Sequence, residues 1–373
     1  MMRSCLAVAA LLGSVAGMSA AEGQISDAAP AGVSRSDRAA AAPIVIAHRG
    51  ASGYLPEHTT ESAAFAHALG ADYIEQDCVL SKDGVPVVLH DLVLDDVTNV
   101  GEIFSGRQRE DGRFHVMDFT LEELRRLRVT ERRSENRAWK RAGTRFPLEQ
   151  GEFRIATLEE QLLLIQGLNR SRGREAGVYV EMKDPGKHRV AGLDLSAAVL
   201  AVLQKFGYDS ADDRVYVQCF DKAEVQRLRQ ELRCPLPLIW LTAKAPAEEE
   251  LRGAAEYCDG LGLSLNLVVT GVTANGEPQI SPLVAQAHQL GMPVHVWTWR
   301  ADSLPGFVKR GDELLEWLTV QAGVDGIFAD QPDLVVGWRD ERLRQAGRGN
   351  PFRLLNSGVG GKTEASPTEN PPK

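Results

Sequence analysis

The sequence is short of several things, and each shortage closes a class of explanation. Of its 373 residues only five are cysteine, and none stands in a CxxC or Cys/His spacing suited to structural zinc. Past the N-terminal stretch no run reaches some eighteen apolar residues, so no transmembrane segment is expected. Cations are outnumbered, 42 Lys and Arg against 51 Asp and Glu, for a formal net charge of −9. A nucleic-acid partner, which needs clustered cations to neutralise phosphates, is not expected on that balance. Glycine and proline, at 35 and 18 residues, are too few for a fibrous or low-complexity chain. What is present, 43% apolar and 25% charged residues, makes a globular protein of two or three domains or one large α/β barrel.

The ends of the chain read differently from its middle. Arg3, the short apolar stretch from Cys5 to Gly13 and the small residues Ser19, Ala20 and Ala21 have the layout of an export signal. Residues 1–21 are therefore expected to be a cleaved signal peptide, and the protein to be periplasmic or secreted. Residues 22–43, mostly Ala, Gly, Ser and Pro, read as a flexible linker, and residues 347–373 as a disordered tail. The folded part is expected over 44–346. Of the cysteines left after cleavage, Cys78 and Cys219 sit in apolar runs and should pack as core residues, while a Cys234–Cys258 disulfide is permitted by export without being required.

Within 44–346, eight short β-branched runs recur: 44–47, 73–79, 178–182, 215–220, 238–241, 260–263, 294–298 and 326–329. Helix-period segments fill the intervals, for example 62–69, 158–168, 195–206, 222–232, 248–258, 282–290 and 314–322. Thr157 and Glu160 form a capping-box pattern before one of them. The alternation predicts an α/β fold, a (β/α)8 TIM barrel, over the doubly wound alternative. Two features interrupt it. A ninth strand, 85–89, follows the second through Lys82-Asp83-Gly84, a turn too short for anything but an antiparallel hairpin. Then an inserted subdomain, about 91–154, intervenes; from Arg107 to Arg145 it carries twelve Lys and Arg against seven Asp and Glu. Long insertions at a barrel mouth tend to serve the substrate, although a solvated charged excursion would read the same way.

Chemistry shows where polar residues break buried strands. Glu75 and Asp77 lie two apart in YIEQDCVL and so share a face, the barrel interior. Glu181, in VYVEMKD, adds a third carboxylate, with Lys183 two residues on. Buried anions in such company call for a cation, and oxygen donors without thiolates suit Ca²⁺ first and Mg²⁺ second. The other way to satisfy them is an ion-pair network with Arg49 and Lys183. His48 and Arg49 follow the first strand at the end where barrels place catalytic groups, and His90 ends the hairpin that begins at Glu75 and Asp77. The arms of that hairpin match in length, so His90 should return to the level of the carboxylates. Two histidines beside a cation and two basic side chains can move protons in phosphoryl transfer. Gln218 and Phe220, and Trp297 with Trp299, could wall a small polyol. His58, His67, His115, His188 and His288 read as surface or satisfied residues, and His295 could face the mouth.

In order and spacing, IAHRGASGYLPEHT, YIEQDCVLSKDGVPVVLHD, VYVEMK, VYVQCFD and GIFADQPD resemble the glycerophosphodiester phosphodiesterases, in particular the longer periplasmic bacterial type. The resemblance spans about Pro43 to Arg339 and includes DGRFHVMDFTLEEL in the insertion. It implies a barrel, a divalent cation and metal-dependent hydrolysis of a small-molecule glycerophosphodiester to sn-glycerol 3-phosphate and an alcohol. Residue by residue it implies His48 and His90 as the acid/base pair, Glu75, Asp77 and Glu181 as metal ligands, and Arg49 and Lys183 at the phosphate. Many members have Asn after the Pro-Glu pair, where this chain has His58, and Trp297 stands where a Tyr or Phe type of residue lines the late strand. The alternatives are a phospholipase C-like or D-like enzyme of the same superfamily, a non-catalytic exported glycerol-phosphate binding protein, and a surface interaction module built on the Arg-rich insertion. Head-group preference and oligomeric state leave no mark in the sequence.

Overall fold

The computed structural model describes residues 42–133 and 144–347. The expected signal peptide, nearly all of the linker and the tail from 348 lie outside the described residues. Among the described residues there are eleven strands: β1 (Ile44–Ala47), β2 (Tyr73–Leu80), β3 (Pro86–Val88), β4 (Gly177–Met182), β5 (Val215–Cys219), β6 (Leu238–Thr242), β7 (Gly260–Ser264), β8 (Val269–Val272), β9 (Pro278–Ile280), β10 (Val294–Trp299) and β11 (Gly326–Ala329). Eight of them, all but β3, β8 and β9, pair in parallel in the order β1-β11-β10-β7-β6-β5-β4-β2, and β1 pairs again with β2 to close the barrel. The expected fold is the observed one.

Its helices begin where the local chemistry allows. Thr157 and Glu160 form the capping box that starts Leu158–Arg172, and Gly173, in the left-handed region, ends that helix. Asp194 and Asp221 cap Leu195–Lys205 and Lys222–Gln230. The helix expected from 314 begins earlier, at Gly311–Glu316, and Pro332–Gln345 follows β11. One element went unread: β8 and β9 form an antiparallel hairpin across Thr273 to Glu277, whose Asn275-Gly276 pair is a turn signal.

β3 returns antiparallel along β2, with Cys78 opposite Val88, as the short turn requires. The segment beyond it has a core of its own. Phe104, Phe114, Phe119, Leu124, Leu127 and Phe153 pack against Val79 and Val87 of the hairpin. The charge of the insertion therefore covers an apolar interior fastened to the barrel. All four described cysteines are buried and free. The permitted Cys234–Cys258 bridge is absent; the Cys258 thiol instead donates to the Ala254 carbonyl, 3.1 Å away.

Inside the barrel, period-two alternation stacks two unlike layers. The lower one is an apolar and aromatic floor of Ile46, Tyr73, Tyr179, Ile239 and Phe328, with Tyr216 against it. Tyr179 stacks on Tyr216 with ring centroids 4.9 Å apart. His295 belongs to this floor rather than to the mouth: it is buried, and its Nδ1 meets the Tyr179 hydroxyl at 2.9 Å. Two residues further along each strand the composition changes.

Candidate active site

The mouth is built from the positions that follow the floor. Ile46 leads to His48, Tyr73 to Glu75 and Asp77, Tyr179 to Glu181, Tyr216 to Gln218, His295 to Trp297 and Phe328 to Asp330. β2 and β4 are registered with Asp77 beside Glu181, which brings carboxylates about a hundred residues apart onto adjacent strands. After β1 the chain turns sharply, with Arg49 at φ 58° and Gly50 at φ 79°. A Cβ at position 50 would meet Ser62 Oγ at 2.6 Å and the Ser62 carbonyl carbon at 2.8 Å, so only glycine fits. That turn aims the Arg49 backbone N–H at Glu75 Oε2, 2.6 Å away.

His48, Arg49, Glu75, Asp77, His90, Glu181, Lys183, Gln218, Phe220 and Trp297 line one cavity of about 420 Å³. These expected site residues are thus brought together, whereas Trp299, also expected at the wall, is buried with its indole N–H donating to the Gly311 carbonyl, 3.2 Å away, and does not line the cavity. Phe220 and Trp297 meet edge to face at 5.4 Å on one wall. Each candidate histidine is held by a carboxylate at Nδ1: His48 by Asp330 at 2.6 Å and His90 by Asp91 at 2.5 Å. Nε2 of each ring is left for the cavity.

Electrostatics separates these groups. Burial, and then Arg49, push the His48 imidazole down to about 3, against the pull of Asp330. The same two causes push His90 down to about 4. Burial and the neighbouring Asp77 and Glu181 charges raise the Glu75 carboxyl well above the usual range. Burial raises Glu181 to about 8, although Lys183 Nζ sits 2.6 Å from its Oε1. Asp77 is buried too, yet Lys183, His90 and His58 together hold it well below the ordinary carboxylate range. Its Oδ1 is buried without a hydrogen-bond partner.

That orphaned oxygen and the two raised carboxyls are what a divalent cation would relieve, so the donor set fits one. His58, Glu75 and Asp77 present ligand atoms within 4.8 Å of one another, with Glu181 alongside. His58 is therefore a correction to the sequence reading, which set it among surface or satisfied histidines. It is buried, with Nε2 2.7 Å from Asp77 Oδ2, and it sits at φ 64° in the turn before the helix Thr60–Ala68. Loop positions carry no periodicity to expose them, and its signal was its place in LPEHT, within the stretch that carries the family resemblance. Asp330, in GIFADQPD, and Glu57, in LPEHT, were likewise in view without being singled out. Their partners lie too far along the chain for spacing to reveal.

Fold and site define a barrel enzyme with buried carboxylates and carboxylate-held histidines at the C-terminal mouth of its strands. Comparison with known proteins agrees. Residues 48–334 match the sequence pattern of the Glycerophosphoryl diester phosphodiesterase family, and the chain belongs to that family. It is 39% identical to a glycerophosphodiester phosphodiesterase of Haemophilus influenzae over 78% of this chain and 88% of the other. It is 37% identical to one from Treponema pallidum, over 79% and 90% of the two chains. Among solved structures, a phosphodiesterase from Oleispira antarctica, in complex with the product sn-glycerol-3-phosphate, is similar in fold with a TM-score of 0.56 at 22% identity, covering 80% of this chain and 97% of that one.

Proposed function

We propose that this protein hydrolyses glycerophosphodiesters to sn-glycerol 3-phosphate and an alcohol, with the aid of a divalent cation. The observation that carries the reading is the pair of carboxylate-held imidazoles facing one cavity with Glu75, Asp77, Glu181, Arg49 and Lys183. Glu75 and Asp77, flanked by His58 and Glu181, would hold the cation; when bound it would supply a positive charge against the phosphoryl oxygens. The carboxylate oxygens of Glu75, Asp77 and Glu181, with no thiolate among the donors, favour Ca²⁺, then Mg²⁺.

The chain's own groups do the rest. Arg49 and Lys183 hold the phosphate, and the edge-on Phe220 and Trp297 rings close the apolar side of the cavity. Without substrate both imidazoles are neutral at neutral pH, the state a base requires. His48 takes a proton from the attacking hydroxyl, the glycerol 2-hydroxyl in the family's manner. As the anionic diester binds it raises the proton affinity of His90, which takes up a proton from solvent and gives it to the departing alcohol; the now neutral His90 then takes a proton from the water that opens the cyclic phosphate, and His48 returns its proton to the glycerol 2-oxygen. Asp330 and Asp91 keep each Nδ1 protonated, so that Nε2 does the exchange.

The proposal extends to the rest of the chain. Residues 1–21 are a cleaved signal peptide, 22–43 a linker, 44–346 the catalytic barrel with its insertion near 91–154, and 347–373 a tail. The protein is of the periplasmic bacterial type, supported by the Arg3 to Ala21 pattern. No helix among the described residues is long and apolar enough to cross a membrane. The reading is tested by a coupled assay for glycerol 3-phosphate with glycerophosphocholine, run beside intact phospholipid vesicles. Release from the soluble diester and none from vesicles is expected; cleavage of vesicles alone would replace this function with a phospholipase.

A further inference from the structure

The arginines of the insertion fall into two groups that behave differently. Arg107, Arg109 and Arg113 pair with the insertion's own acids, Glu123, Asp118 and Asp95, and their side chains are 36%, 44% and 40% exposed. Arg132 and Arg145 are 4% and 7% exposed, and their acidic partners are Glu57, Asp302 and Asp330 of the barrel and Asp91 where the insertion begins. Burying a guanidinium costs free energy that only good partners offset. Those partners are the informative part.

Arg132 forks onto Glu57, with Nε 3.0 Å from Oε2 and Nη2 on Oε1, and its Nη1 donates to Asp91 Oδ2. The other oxygen of Asp91 holds His90 Nδ1, and Glu57 Oε1 also accepts from Arg49 Nη1 at 2.9 Å. Arg145 repeats the arrangement on the opposite histidine. Its Nη2 donates to Asp330 Oδ2 at 2.5 Å, while Asp330 Oδ1 holds His48 Nδ1. Its Nη1 donates to the Ser52 carbonyl at 3.2 Å, and Ser52 Oγ donates to the His48 carbonyl at 2.7 Å. Asp302 accepts its Nε at 2.9 Å. From the barrel side, Arg300 also donates to Asp330 Oδ2.

We propose that Arg132 and Arg145 are positioning residues through which the insertion fixes the two imidazoles, each arginine locking the second oxygen of the aspartate that holds one ring. A carboxylate bonded through one oxygen can still swing about its own axis; bonded through both, it fixes the plane and tautomer of the ring. The insertion does not need these two contacts to stay attached, because its apolar core packs on β2 and β3. The proposal rests on the reading of His48 and His90 as the acid/base pair.

The test uses the full chain with Arg132→Ala, Arg145→Ala, both Lys variants and Arg109→Ala as a control on the same insertion. With glycerophosphocholine, Arg132→Ala should lose roughly 10²-fold in kcat, the scale of a small misplacement of a catalytic group, with KM changed far less; Arg145→Ala should lose less, because Arg300 still holds Asp330 Oδ2. Arg109→Ala should match the parent. In an Asp330→Asn background, Arg145→Ala should add little further loss, since both act through one ring, and Asp91→Asn should do the same for Arg132→Ala. If an Ala variant fails to fold, the Lys variant carries the test: it keeps the charge, loses the fork, and should still lower kcat. Full additivity with the aspartate variants, or a rise in KM alone, would overturn the proposal. A second readout does not depend on turnover: in ¹⁵N-labelled protein, Arg145→Ala should perturb the ring-nitrogen signals of His48 and leave those of His90, and Arg132→Ala the reverse. If the parent hydrolyses no diester while these selective shifts appear, the functional reading fails and the positioning stands. Unmoved ring signals would end the positioning role itself.

Discussion

The floor and the mouth of the barrel are two residues apart on the same strands, roughly 7 Å at the usual rise per residue, and they are built on opposite terms. The floor, around Tyr179 and Ile239, is apolar and aromatic, and its one histidine is spent on a tyrosine hydroxyl. The mouth collects like-charged carboxylates under burial, leaves Asp77 Oδ1 without a hydrogen-bond partner and forces a left-handed turn at Arg49. The floor keeps the barrel folded, and the mouth has accepted unfavourable placement for the sake of chemistry.

Substitutions can sharpen or break that contrast. The largest effect belongs to the mouth: His48→Ala and His90→Ala should each lower kcat on the order of 10²- to 10⁴-fold in protein that still folds. Near-normal turnover in both would remove the acid/base assignment. In the floor the pattern should invert. Ile239→Ala deletes fully buried carbon and should cost about 2–5 kcal/mol in urea unfolding, with kcat of the folded protein close to that of the parent. A floor variant that kept its stability and lost turnover would erase the distinction.

The smallest effect concerns His295, whose imidazole is pushed down to about 4 by burial, with Asp325 pulling the other way. The unfolded chain binds its proton near pH 6.5, so between there and 4 it holds more protons than the folded one. Stability should be fully present above about pH 6.5 and fall as the pH drops toward 4, by an amount on the order of 3 kcal/mol for this ring. Urea midpoints measured across that window should show a shallower pH slope in His295→Gln; an unchanged slope would mean the ring is not the source.

Much of this was legible because a strand's side chains alternate. Glu75, Asp77 and Glu181 interrupt apolar runs, and once those runs are strands the three must share the interior with their neighbours. His90 followed from equal hairpin arms. Alternation also carries the error with His295, which has the right parity for the interior but lies one step too low, and parity says nothing about depth. What sequence could not show is partnership across the closed ring. Asp330 reaches His48 over 282 positions of chain, and Arg145 reaches Asp330 over 185. His58 sits in a turn with no period to read. The insertion drew notice for its charge, whereas its attachment depends on Phe104, Phe119 and Leu124 beneath that charge.

On the proposed function, the crowded carboxylates of the mouth hold a divalent cation that hydrolysis requires. The most direct measurement is glycerol 3-phosphate release from glycerophosphocholine by protein stripped with EDTA, followed by Ca²⁺ titration in the parent and in Asp77→Asn. Activity should vanish on stripping, return with Ca²⁺ in the parent, and in the variant need far more ion or fail to return. Undiminished activity in EDTA, or identical titrations in the two proteins, would contradict the account.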